Sequence, residues 1–206
     1  MTRAPRAWVV VAAWLAACAL LGWPLNHAAI DWQPGLALSQ PWRAFTPVGV
    51  HYSVQHLIGN LAGVALAGVF GVAALVPARM AWAWLAAWPL THLGLLVKPA
   101  LTHYGGLSGV VHAGVAVVIV FVLVSGTRRQ RLVGSAVLIG FCAKLLSESP
   151  WAEALRHPAG WDIAVAPIAH ATGALAGAAC AAIASLLPHL RLARCTRWRR
   201  VKRGCA

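Results

Sequence analysis

Long apolar runs separated by short polar segments pattern this chain. Uncharged apolar stretches fall at about Ala7–Leu25, Leu57–Val76, Ala81–Val97, Leu107–Val124, Leu132–Leu146 and Ile163–Leu187. Most reach the roughly 17–25 residues that an α-helix needs to cross a hydrocarbon core. The fifth is short and contains Lys144, whose ammonium can snorkel to the interface along its apolar stem. Lipid-exposed backbone must satisfy its own hydrogen bonds, so the pattern predicts an all-α membrane protein. Six transmembrane helices would occupy residues 1–187, followed by a basic tail at 188–206. The two longer connections, about Asn26–Gln55 and Ser147–Asp162, carry Trp32, Trp42, Phe45, Trp151 and Trp161, a content suited to a membrane interface.

Composition supports the same class. The 206 residues are 60% hydrophobic and 10% charged, against about 25% charged in soluble domains, and the mean hydropathy is +0.72. The net charge of +13 would suggest nucleic acid if its location were ignored. However, Arg3, Arg6, Arg79, Arg128, Arg129, Arg131 and the cluster from Arg191 to Arg203 fall on one side of a six-helix topology. Arg43, Lys98 and Arg156 share the other side with all four acids, Asp31, Glu148, Glu153 and Asp162. This positive-inside arrangement predicts cytoplasmic termini, and a tail that meets anionic lipid headgroups rather than nucleic acid. The first apolar run continues past Cys18 through Trp23, as a retained helix does and a cleaved leader does not. The five cysteines form no Cys-x-x-Cys pair and none falls in an outer loop, so neither a disulfide framework nor a cysteine metal site is expected. No cofactor is implied.

Three polar clusters interrupt the apolar pattern: His51-x-Ser53-x-x-His56-x-x-x-Asn60, Gly106-Leu107-Ser108-Gly109 and His170-x-x-Gly173-x-x-x-Gly177. Polar and ionisable groups at membrane depth are costly and mark functional sites. Ser108 opens the fourth run, which places it near a helix N-terminus among free backbone N–H donors. Such donors would stabilise an oxyanion created by its attack, although Gly-x-Ser-Gly alone equally describes a helix cap. His170 lies in the outer third of the last run. Ala169, Gly173 and Gly177 form a small-residue stripe beside it, along which a neighbouring helix can approach. If that neighbour is the fourth helix, His170 reaches Ser108 as its base. No acid within a span is available to orient the imidazole, and Asp162 lies two turns away, so a Ser–His dyad is the economical arrangement. His56 and Asn60, four residues apart, share a helix face and can both donate to an oxyanion, or hold helices together. His51 and Ser53 shape the start of that helix. His92 reads as a packing residue, and His103 and His157 as loop residues.

Trp42-Arg43 ahead of these clusters, with their order and spacing, closely resembles the rhomboid family of intramembrane serine proteases from the first run to the last. The resemblance implies Ser108 as nucleophile and His170 as base, with His56, Asn60 and the Ser108 N–H forming the oxyanion hole. Gly106, Gly109, Gly173 and Gly177 would be supporting residues, together with His51. Two positions depart from most bacterial rhomboids: Leu107 replaces an alanine, and His112 replaces the aromatic residue that stacks on the catalytic histidine. Both departures, and the compact length, resemble the rhombosortases. That subgroup implies partners that are exported proteins anchored by a C-terminal Gly-Gly, transmembrane helix and basic cluster, cut near the periplasmic face of a bacterial inner membrane. His112 would stack on His170 or orient it. The other readings are a general rhomboid protease acting on type I-like helices, an inactive client-binding relative, and a membrane cytochrome using His112 and His170 as haem ligands. The last leaves Gly-Leu-Ser-Gly and Asn60 without a role.

Overall fold

A computed structural model describes the backbone of residues 5–203 and the side chains of residues 5–186. The chain forms α1 (Arg6–Gly22), α2 (His27–Ile30), α3 (Val54–Ala73), α4 (Ala78–Leu93, extended by a 3₁₀ turn at Gly94–Val97), α5 (Ser108–Ser125), α6 (Arg128–Ser147) and α7 (Pro167–Arg203). Among the described residues there is no strand, only isolated bridges at Trp32–Tyr104 and Arg156–Val165. Five helices, α3 to α7, are long and apolar enough to cross a membrane, and α1 is a shorter apolar helix of 17 residues. With its several apolar helices, this is a multi-pass membrane protein.

Helix ends differ from the apolar runs where local chemistry overrides hydropathy. α1 stops at Gly22 rather than Leu25, just ahead of Pro24, and Gly22 lies against the backbone of Gly49. α7 begins at Pro167 rather than Ile163. Proline suits a first helical position because its missing N–H would be unpaired there anyway. Just before it, Val165 exchanges backbone hydrogen bonds with Arg156 at 2.9 and 2.8 Å in an isolated bridge. At the other end α7 continues without a break to Arg203, so the expected boundary at 187/188 is not an interruption of the helix. The side chains of the basic tail, with Cys195 and Cys205, lie outside the described residues.

α5 is the hub. It packs against α7 above all, then α4, α3 and α6, and Val110, Ala113, Val117 and Val118 along it are fully buried. The α5–α7 approach depends on glycine. A Cβ at Gly173 would overlap the carbonyl of Gly109, and one at Gly177 the carbonyl of Ala113. The small-residue stripe therefore brings the two backbones together, as small residues do where helices cross in membranes. α6 is the opposite case: Gly134 is its one buried residue, and it touches α5 along its length but α7 only slightly.

The segment before α3 is made of short pieces, α2 and three 3₁₀ turns at Pro34–Leu36, Pro41–Ala44 and Thr46–Gly49. A buried ion pair ties them together. Arg43 Nη1 lies 3.0 Å from Asp31 Oδ1, and the same guanidinium donates to the carbonyls of Asp31 and Ala28 and to Gln40 Oε1. Buried charges persist only when paired and hydrogen-bonded in this way. The second Asp31 oxygen meets His103 Nδ1 at 2.6 Å, so His103 helps attach this segment to the loop that precedes α5.

Candidate active site

That loop sets the position of Ser108. Trp32 and Tyr104 exchange backbone hydrogen bonds of 2.7 and 3.0 Å, and the Gly106 N–H donates to Pro47 O at 2.9 Å. Gly106 adopts φ +139°, which L side chains rarely reach, and a Cβ there would meet His56 Nε2 at 3.0 Å. Glycine is required on both counts. The chain then turns directly into α5, whose first residue is Ser108 and whose N-terminus has no side-chain cap. The N–H groups of this turn therefore have no intrahelical partner and remain available to an anion.

His170 stands in the first turn of α7, directly before the glycine crossing. Its Nε2 lies 3.0 Å from Ser108 Oγ. Across the site, His56 Nδ1 receives the backbone N–H of Tyr52 at 3.4 Å, which leaves Nε2 to carry the proton and face Gly106. Asn60, one turn along α3, is buried and spends one amide hydrogen on His56 O at 3.0 Å. Its second hydrogen remains available. Ser53 caps α3 by accepting from the His56 N–H at 3.0 Å and donates to Asp162 at 2.7 Å. His51 is fully buried beside the His56 ring. Burial, aided by the neighbouring His56, holds His51 down to about 4, so it is neutral near pH 7. His92 is also buried, with Nδ1 2.7 Å from Ala44 O.

Two residues to which the sequence assigned no place in the site complete the cluster. Glu148, which follows α6, puts Oε2 2.7 Å from His170 Nδ1 and Oε1 3.0 Å from Lys144 Nζ. The expectation considered acids within the spans and Asp162; the carboxylate that meets the imidazole comes instead from just beyond the end of α6, and Asp162 is engaged with Ser53. Lys144 joins the same cluster. Its Nζ lies 2.5 Å from His112 Nε2 and 3.2 Å from His170 Nδ1. Burial raises the Glu148 carboxyl, but its contacts with His170 and Lys144 outweigh this and bring it down to about 2. The signal available in the sequence was the i, i+4 spacing of Lys144 and Glu148 at the end of an apolar run. His112 stacks on His170, with centroids 4.1 Å apart, and its Nδ1 meets Ser108 O at 2.7 Å.

A cavity of about 480 Å³ opens over these groups. Ser108, His170, His56, Asn60, His112, Lys144 and Glu148 line it, with Gly59, His157, Pro158 and Trp161 forming its outer wall. A hydroxyl, an imidazole and several directed donors thus share one concave site, while among the described residues no cluster of ligands suits a metal ion. Residues 38–186 match the family model described as a rhomboid domain, close to three quarters of the chain and every element lining the cavity. The chain belongs to the rhomboid family. Rhomboid proteins are intramembrane serine proteases that act on membrane-protein substrates within the bilayer. No curated protein and no solved structure matches the chain. The matched span includes α5 with Ser108, α6 with the Glu148 that follows it, and the part of α7 up to residue 186, which carries His170.

Proposed function

We propose that this rhomboid is an intramembrane serine endopeptidase in which Ser108 is the nucleophile and His170 its base. The observation that carries the reading is the 3.0 Å approach of His170 Nε2 to Ser108 Oγ in a cavity large enough for an extended peptide segment. His170 takes the hydroxyl proton as Oγ attacks a substrate carbonyl. The resulting oxyanion meets the Ser108 N–H, His56 Nε2–H and the free Asn60 amide hydrogen. Collapse breaks the C–N bond, and the leaving amine takes the proton from His170. Water, or an amine, then attacks the acyl-enzyme by the same route in reverse.

The proposed topology has six spans with both termini in the cytoplasm, which puts the cavity at the periplasmic side of a bacterial inner membrane. Charge asymmetry between the connections supports this orientation. The proposed substrates are exported proteins that end in a Gly-Gly, a transmembrane helix and a basic cluster, the rhombosortase type. The sequence resemblance at Leu107 and His112 supports this subgroup. A substrate helix must unwind to expose a carbonyl, and glycine lowers that cost by about 1 kcal/mol per residue relative to alanine.

A reporter with a periplasmic domain, Gly-Gly, an apolar helix and a cytoplasmic Arg cluster tests the proposal. Release by the wild type, none by Ser108→Ala or His170→Ala, and none from a Leu-Leu reporter is the expected result. Release by Ser108→Ala would end the serine-protease reading. Equal release of the Leu-Leu reporter would leave a general rhomboid protease.

A further inference from the structure

We infer that Glu148 is a third functional member of the site, a positioning carboxylate that fixes the tautomer and charge of His170 and is itself held by Lys144. The inference rests on the assignment of Ser108 and His170 above and extends it from a pair to a relay drawn from three helices.

The hydrogen-bond pattern leaves His170 one productive form. Glu148 Oε2 is an acceptor 2.7 Å from Nδ1, so Nδ1 carries the proton and donates it. Nε2 then presents its lone pair to Ser108 Oγ at 3.0 Å. Without the carboxylate the imidazole could equally carry its proton on Nε2, where it would face the hydroxyl it must deprotonate. As Nε2 takes the Ser108 proton, the ring gains a positive charge, which the Glu148 carboxylate stabilises at hydrogen-bond distance. No proton needs to move to Glu148 in the cycle, and the proton on Nε2 passes on to the leaving amine.

Lys144 secures the acid. His112 Nδ1 donates to Ser108 O at 2.7 Å, so His112 Nε2 is an acceptor and receives a Lys144 hydrogen. A second hydrogen reaches Glu148 Oε1 at 3.0 Å. The 3.2 Å approach of Lys144 Nζ to His170 Nδ1 joins two donors, which are both satisfied because each binds a different oxygen of Glu148. The backbone of Glu148 is anchored as well, since Arg156 Nη1 donates to its carbonyl at 2.8 Å. The charged and titratable groups around His170 are thus Glu148 and Lys144 from α6, His112 from α5 and His56 from α3. Arg156 and His157 line the cavity from the connecting loop. His92 of α4 is turned instead toward Ala44 and Tyr104.

The test uses the full-length protein in detergent or liposomes, with Glu148→Ala and the isosteric Glu148→Gln. Each is expected to lower kcat on the order of 10²–10⁴-fold, with KM changed little. Formate added to Glu148→Ala should restore part of kcat, because the vacated position opens to the cavity. A strongly deshielded Nδ1 proton resonance from His170 should persist in Ser108→Ala and vanish in Glu148→Ala. A carboxylate that only holds α6 in place would give a loss that formate does not relieve, with the resonance unaffected. That result, or wild-type kcat in Glu148→Gln while Ser108→Ala is inactive, would overturn the inference and leave a Ser–His dyad standing. Activity in Ser108→Ala would instead remove the reading beneath it.

Discussion

The rings of His112 and His170 lie face to face, 4.1 Å between centroids and 13° from parallel. One comes from α5 and the other from α7, so the stack spans the same crossing that aligns Ser108 with His170. Phe141 of α6 lies against the other side of His112, at 5.6 Å. The His170 ring is thus held by a plane on one side and a carboxylate at its edge.

Stacking of this kind contributes about 0.5–1.5 kcal/mol. His112→Ala should therefore lower kcat by roughly 3- to 10-fold, while His112→Phe, which keeps a plane against His170, should stay within about 3-fold of wild type. Reporter turnover measures both. Equal losses would show that the His112 contacts to Ser108 O and Lys144 matter more than the stack.

His56 and Asn60 are expected to act on the oxyanion. His56→Ala and Asn60→Ala should each reduce kcat by about 10²-fold or more, as loss of one such donor does elsewhere, with smaller changes in KM. Because the Asn60 amide also bonds His56 O, thermal unfolding should be measured in parallel. A lowered melting temperature with normal kcat would assign Asn60 to helix packing.

Gly173→Ala tests the α5–α7 crossing. The added Cβ meets the Gly109 carbonyl, and relieving such overpacking costs about 1–3 kcal/mol. Both stability and kcat should fall, since the site residues stand on the helices forced apart. Gly140→Ala is the control, because nothing lies within 4 Å of a Cβ there. It should be neutral or stabilising, by up to about 1 kcal/mol.

Acid should weaken the fold in two stages. His51 is held down to about 4 from an ordinary 6.5, so the unfolded chain binds the extra proton between those values. Stability present in full above 6.5 is lost as pH falls to about 4. Glu148, brought down to about 2 from 4.5, contributes above 4.5 and loses that contribution on descending to about 2. In melting curves, Glu148→Gln should be less stable than wild type near neutral pH, and the gap should narrow as pH falls from 4.5 to about 2. A gap that is constant with pH would show that the carboxylate charge contributes nothing to stability.

The apolar runs, their order and the small-residue stripe at Ala169, Gly173 and Gly177 are local properties of the chain. From them follow the helical membrane class, the position of Ser108 at a helix start and a close-packing face on α7, whose partner, α5, only the tertiary structure decided. Glycine spacing carries this information because a missing side chain is what lets two backbones approach. The helix boundaries were legible only in part: Pro24 and Pro167 govern where α1 stops and α7 begins, and both lie inside or beside runs that hydropathy alone treats as continuous. The carboxylate beside His170 was not legible. α6 has almost no buried face, and hydropathy reads Lys144 as a residue reaching for the interface. The tertiary structure supplied the rest, because the end of α6 meets α5 and α7, where His112, His170 and Glu148 gather around one ammonium.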